Sequence, residues 1–231
     1  MFDFTNYDFY ISFAIIVSII CFSCFYNYIV LFNITHEQRQ MPLPRENPVL
    51  YEANEITRKY KINSLFRQTN FTFLVPYNLK KSIIKFKKDV FVNNNLYNST
   101  NAIFTTFAFI SDKLKQKNFT YWFNKIFSYF NLVIWIIELV FLAMSWWEIG
   151  LAVIGFRLIA IIIKFFINLK NINKNIEITL KFLETSDENF NKKIKKVLSL
   201  KHLGILNDTF NWYSKNIFEF AVWFKEWGRN E

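Results

Sequence analysis

The sequence predicts an all-α membrane protein with three transmembrane helices, one single span plus a helical hairpin, joined to amphipathic helices outside the bilayer. Three observations predict it. Residues 10–32 form an uncharged run of apolar and aromatic residues, long enough for a tilted span across about 30 Å of hydrocarbon. Residues 126–169 form a second apolar stretch, about twice the ~20 residues that one span needs. That stretch contains Asn131, Glu138, Arg157 and Lys164, which fall into matched pairs if the chain folds back at Trp147 and Glu148.

Taken in order, residues 1–9 hold Asp3 and Asp8 and no base. Residues 10–32 are the first span, with Tyr7 and Tyr10 at one end and Tyr26 and Tyr28 at the other, as suits the aromatic belts of a membrane interface. Residues 34–125 carry 15 Lys plus Arg against 6 Asp plus Glu. Positive charge stays on the inner side of a membrane, so the N-terminus is expected outside and residues 33–125 inside. Span two, residues 126–145, then rises from Lys125; a turn at 146–150 lies on the outer surface; span three, residues 151–169, returns to Lys170. Residues 170–231, with 11 bases and 8 acids, belong to the inner side.

Within the inner segments, MPLPRENPVLYE reads as an extended strap on a partner's surface, because Pro42, Pro44 and Pro48 each bias the preceding residue away from helix. YNLKKSIIKFKKDVF aligns Leu79, Ile83, Phe86 and Val90 on one helical stripe, and residues 101–117 do the same with Ile103, Phe107, Ile110 and Leu114. Asp187 is placed to cap a helix bearing Phe190, Ile194, Val197 and Lys201 and stopped by Gly204. A last helix carries Phe210, Tyr213, Ile217, Ala221 and Phe224, ending near Gly228. No self-contained core is evident among these helices, so membrane surface or neighbouring subunits are expected to cover their apolar faces.

The charges inside the hairpin are the candidate site. Glu138 and Arg157 are equidistant from a turn at Trp147 and Glu148, as are Asn131 and Lys164, and each helix carries its two polar residues seven apart on one face. A carboxylate at membrane depth costs several kcal/mol unless paired, so a Glu138–Arg157 ion pair and a second polar pair, Asn131 with Lys164, are expected inside protein. Gly150, Ala152, Gly155 and Ala160 on span three, with Ala143 on span two, offer close approach where they face the other helix. Lys125 and Lys170 are likewise equidistant from the turn and, with Lys174, are expected to hold an anionic headgroup such as that of cardiolipin at the inner surface.

Other chemistry is sparsely represented. Two histidines, His36 and His202, lie outside the spans, where a membrane haem would need mid-span ligands. Cys21 and Cys24 form a CxxC inside an apolar span, without the electropositive setting that makes thiolates or the further ligands zinc requires. With four glycines there is no phosphate-binding loop. No cofactor is expected in this chain, bound phospholipid apart, and no small-molecule substrate or metal. Sequons at Asn33, Asn70, Asn98, Asn118 and Asn207 follow from high Asn content and fall on the basic side. A net charge of +10 is compatible with a mitochondrial ribosomal protein, but the lysine runs alternate with apolar residues at helical spacing rather than forming a stacking platform, and nucleic acid is not expected as a partner.

Composition points to an origin. Ile (30), Phe (29), Asn (26), Lys (22) and Tyr (11) supply half the chain, whereas Gly, Ala, Arg and Pro together supply 22 residues, the pattern of AT-rich coding. Seven Trp in such a gene fit a code in which TGA also specifies Trp, as in most mitochondria, the leading origin, and in mollicute bacteria. The acidic opening MFDFTNYDFY lacks a basic transit peptide, which agrees with an organelle-encoded product.

In this Phe-rich, Asn-rich, Gly-poor composition and in its hydrophobic character the chain resembles the orphan membrane subunits of oxidative-phosphorylation complexes encoded in ciliate mitochondrial genomes. Tyr51 and Glu52, with Glu138 in span two and Trp147 just past its end, are also similar to the loop and span motifs of the small three-helix subunit of complex I, although Ala53 stands where that motif has cysteine and some 70 residues separate loop from span. The compositional resemblance implies a non-catalytic, accessory subunit of a respiratory-chain complex or supercomplex, in contact with other subunits and membrane lipids. It implies the mitochondrial inner membrane, with the N-terminus in the intermembrane space and the C-terminus in the matrix. A membrane subunit of ATP synthase, or a subunit with a proton path through Glu138 and Arg157, is the alternative. The stretch GFRLIAIIIKFF does not supply the additional polar residues that surround the membrane arginine of the ATP synthase a subunit.

Overall fold

The structure is a computed structural model that describes residues 7–26, 28, 32–43, 47–69, 76–92, 94–115 and 119–204. In chain order the elements are α1 (Tyr7–Cys24), α2 (Phe32–Gln40), α3 (Val49–Lys59), β1 (Leu65–Gln68), β2 (Tyr77–Asn78), β3 (Ile83–Phe86), α4 (Lys88–Val92), α5 (Leu96–Leu114), α6 (Phe119–Ala143), α7 (Trp147–Leu183) and α8 (Glu188–Ser199), followed by a 3₁₀ turn, Leu200–Leu203. Three helices, α1, α6 and α7, are long and apolar enough to cross a membrane. The protein is thus an all-α membrane protein with one minor sheet. Two compact units divide it: residues 1–34, 129–165 and 204–231 form one, and residues 35–128 and 166–203 the other.

In the first unit the hairpin turns at residues 144–146, earlier than the expected 146–150. Ser145 takes a left-handed conformation (φ 61°), Trp146 N–H donates to Phe141 O at 2.9 Å and Ser145 N–H to Leu142 O at 3.1 Å. This is a Schellman motif, which satisfies the last carbonyls of α6 and ends it at Ala143. Glycine normally fills that position, and its absence from the sequence here hid the turn. α7 then runs for 37 residues, about 55 Å at 1.5 Å per residue, so it continues well beyond the 151–169 expected for span three. α6 likewise starts seven residues before the expected 126, and α1 runs from Tyr7 to Cys24 rather than over 10–32, with π-helical backbone at Phe25, Tyr26 and Tyr28 and a separate α2 from Phe32.

The second unit has its own core, which corrects the expectation that the amphipathic segments lack one. α5 buries Leu96, Ile103, Phe107, Phe109 and Ile110; α3 supplies Val49 and Ile56, β3 Ile84 and Phe86, the end of α7 Leu183, and α8 Phe190, Ile194 and Leu198. Each such side chain contributes roughly 1.5–3 kcal/mol by leaving water. Ile103, Phe107 and Ile110 of the expected α5 stripe and Phe190 and Ile194 of the expected α8 stripe thus share one core, whereas Leu114 is exposed and Lys201 lies beyond α8. Asn95 caps α5, its side chain accepting from Asn98 N–H at 2.8 Å, and Asp187 caps α8, accepting from Asn189 N–H at 2.9 Å.

Two local expectations fail here. The stripe Leu79, Ile83, Phe86, Val90 is not a helix: β3 pairs in parallel with β1 (Leu65↔Ile83 to Gln68↔Phe86) and antiparallel with β2 (Tyr77↔Ile84). Ile84 and Phe86 point inward and Ile83 and Lys85 lie half-buried, a period of two that β-branched residues favour. The strap is also shorter than expected. Leu43 N–H donates to Asn94 O and Leu96 N–H to Met41 O, so its first residues pair with this chain, and beyond Pro48 the backbone is helix α3, since proline is tolerated at a helix start. Pro44, the sequons at Asn70, Asn118 and Asn207, and the last expected helix with Phe210, Tyr213, Ile217, Ala221 and Phe224 lie outside the described residues.

Candidate functional site: an ion pair inside the membrane hairpin

The spans are apolar outside and polar inside. Most of each 18-residue apolar window is uncovered by protein, only 22% being buried on α6 and 17% on α7. Residues such as Val133, Ile136, Val140, Ile159, Ile163 and Phe166 are exposed. The buried seam is instead Asn131, Glu138 and Leu142 on α6 against Gly150, Arg157 and Ile161 on α7, a helical spacing of three and four residues.

Glu138 is 0% and Arg157 1% exposed, and Arg157 Nε lies 3.1 Å from Glu138 Oε2. The N–H is not aligned with that oxygen, so this contact is a pairing of charges rather than a directed hydrogen bond. With the turn centred near residue 146, Arg157 stands about one helical turn further from it than Glu138 does. Side-chain direction closes the offset. Helical side chains lean toward their own N-terminus, so Arg157 reaches back toward the turn while Glu138 leans away from it, each toward the other. Arginine's long stem makes the reach; lysine's single ammonium would not span it with the same donor fan.

The second expected pair is not formed in the same way. Asn131 is buried, but its side-chain oxygen accepts no hydrogen bond among the described residues, and Lys164 is half-buried. Of the small residues, Gly150 alone of the two hairpin glycines packs closely: a Cβ there would meet Leu142 Cδ2 at 2.7 Å, whereas Gly155 has nothing within 4 Å. Ala143 and Ala152 are exposed and Ala160 is half-buried. At the other end of the unit's α1, Asp8 accepts from Trp147 Nε1 at 3.1 Å, which brings the start of α1 beside the start of α7.

Within the second unit, Asn124 and Asn168 exchange two hydrogen bonds, 2.7 and 2.9 Å, an amide clamp between α6 and α7 that sequence reasoning missed. The signal was present. Asn124 with Asn168, and Leu142 with Gly150, are both symmetric about residue 146, and the same equidistance rule applied to the true turn finds them. Of the expected headgroup lysines, Lys170 and Lys174 are exposed, while Lys125 is half-buried with Nζ 5.1 Å from the centre of the Trp122 ring.

Further in, Tyr77 Oη donates to Asp112 Oδ2 at 2.6 Å, and burial followed by the Asp112 charge pushes the Tyr77 phenol well above its usual range. Lys115 Nζ joins Asp112 to Asn171 Oδ1. Lys201 Nζ sits 4.8 Å over the Phe104 ring, and burial pushes its ammonium down to about 8. Cys21 is exposed and Cys24 half-exposed, both reduced, and His202 Nε2 lies 2.6 Å from Asn173 Oδ1. Among the described residues no cluster of His, Cys, Asp or Glu is arranged to hold a metal. No family model matches the chain, and no curated protein or solved structure matches it.

Proposed function

We propose that the chain is a non-catalytic accessory subunit of a mitochondrial respiratory-chain complex or supercomplex, held in the inner membrane with its N-terminus in the intermembrane space and its C-terminus in the matrix. The observation that carries the reading is the enclosed Glu138–Arg157 pair inside a hairpin whose outward faces are mostly bare apolar side chain. A proton relay needs a carboxylate that can change charge. Here the carboxylate faces a guanidinium within its own chain, so its work is to fix the register of α6 against α7. The uncovered faces of three spans then serve lipid and neighbouring subunits. Support for the organelle comes from composition and from the bases on residues 34–125.

Native electrophoresis of gently solubilised inner membranes, probed for this chain, tests the proposal. The chain is expected to migrate with a respiratory complex and to be absent from the free-protein front. Comigration with ribosomal particles, or with none of the large membrane complexes, contradicts it.

A further inference from the structure

The turn between β2 and β3 carries Lys80 and Lys81, both exposed, and is held rigid: Lys113 Nζ donates to Leu79 O at 2.6 Å, and Lys81 N–H donates to Asn78 Oδ1 at 3.1 Å. Beside it stands Trp122, 43% exposed, in the first turn of α6 and just before the apolar run that begins at Ile126. Lys80 Nζ lies 5.7 Å and Lys125 Nζ 5.1 Å from the centre of that one ring. Two ammonium groups are thereby held no more than about 11 Å apart, close to the Debye length of ~8–10 Å. Among the described residues neither has a carboxylate within ion-pair distance; the nearby Asp112 is buried and faces Tyr77 and Lys115.

Cations beside an indole gain from the ring's quadrupole, and two of them gathered at one ring make a local positive patch that attracts an anion. An indole half in water at the start of an apolar span is also the residue type that settles at headgroup level. We propose that Lys80, Lys125 and the Trp122 ring form a seat for the phosphate of an anionic phospholipid at the membrane surface. The proposal deepens the reading of the chain as a membrane subunit and rests on it. It replaces the sequence-based trio of Lys125, Lys170 and Lys174 with residues that the fold brings together from two distant stretches.

The test uses the full chain in neutral detergent, titrated with phosphatidylglycerol and followed by native mass spectrometry of bound lipid. Each lysine near an anionic headgroup is worth about fivefold in binding, so Lys80→Ala with Lys125→Ala is expected to weaken retention roughly 20-fold. Trp122→Leu is expected to weaken it a few-fold, and Lys80→Arg with Lys125→Arg to retain it. Lys181→Ala with Lys192→Ala, at exposed lysines held by Glu177 and Glu188, is expected to leave it unchanged. Equal retention in the double alanine variant overturns the seat. Displacement of lipid by inorganic phosphate at the lipid's own concentration overturns the lipid in favour of a free-phosphate site. A wild-type chain that stays soluble without detergent and holds no lipid overturns the membrane reading itself.

Discussion

Lys201 shows how a single side chain pays for position. Its ammonium is half-buried against Phe104, and burial lowers its pKa to about 8 from an ordinary value near 10.5. The unfolded chain therefore binds more protons than the folded one between these values, and stability rises with pH across that window. Below pH 8 the cost of burying the charge is fully present, partly offset by the ring contact. Lys201→Met is expected to raise thermal stability at pH 7 by roughly 1–3 kcal/mol and to lose that advantage near pH 10.5. Comparing melting temperatures of the two proteins at both pH values checks it. A second residue-scale consequence follows from composition. With four glycines in the chain, left-handed backbone falls to Lys61 (φ 56°), Ser82 (φ 49°) and Ser145 (φ 61°). Lys61 ends α3 as Ser145 ends α6, with Ile62 N–H donating to Thr57 O and Lys61 N–H to Arg58 O. Lys61→Gly and Ser145→Gly are each expected to stabilise by about 0.5–1 kcal/mol, read as an increase in melting temperature, because glycine meets no Cβ penalty there.

At the scale of elements, what was legible was whatever repeats along the helix. The spacing of Asn131, Glu138 and Arg157 placed a buried polar seam on α6 and α7, with Lys164 only half-buried, and most of the α5 and α8 stripes and the cap at Asp187 were readable from periodicity and cap chemistry. What was not legible was decided by pairing across the chain. IIKF satisfies a helical stripe and a strand equally well at four residues, and only the parallel partner β1, supplied from residue 65 onward, selects the strand. The turn at Ser145 escaped because no glycine marks it, and the displaced centre hid the Asn124–Asn168 clamp. Asn168→Leu is expected to strand the Asn124 amide and destabilise the hairpin feet by about 1–3 kcal/mol, whereas replacing both by Leu is expected to restore most of the loss. A double-mutant cycle on melting temperature measures the difference. On the opposite end, Gly150→Leu is expected to force Leu142 aside and cost about 1–3 kcal/mol by overpacking.

At the scale of the whole molecule, the basic residues are divided between tasks. In the unit of residues 35–128 and 166–203, α3, α5, α8 and the sheet bury their apolar faces in one core and leave lysines outside. This division was invisible in the sequence because each amphipathic stripe, taken alone, suits a membrane surface as well as another helix. In the unit of residues 1–34, 129–165 and 204–231 the described residues show the reverse arrangement, with apolar side chains outside and the Glu138–Arg157 ion pair within. The central claim is that this pair serves assembly rather than proton transfer, and the most direct measurement is a comparison of Glu138→Gln, Arg157→Gln and the double variant. Each single change leaves a charge stranded, at a cost on the order of 3–5 kcal/mol, so each is expected to reduce the amount of assembled complex sharply, while the double variant recovers most of it and turnover per assembled complex stays unchanged throughout. Normal assembly with abolished proton-coupled turnover in Glu138→Gln contradicts the account.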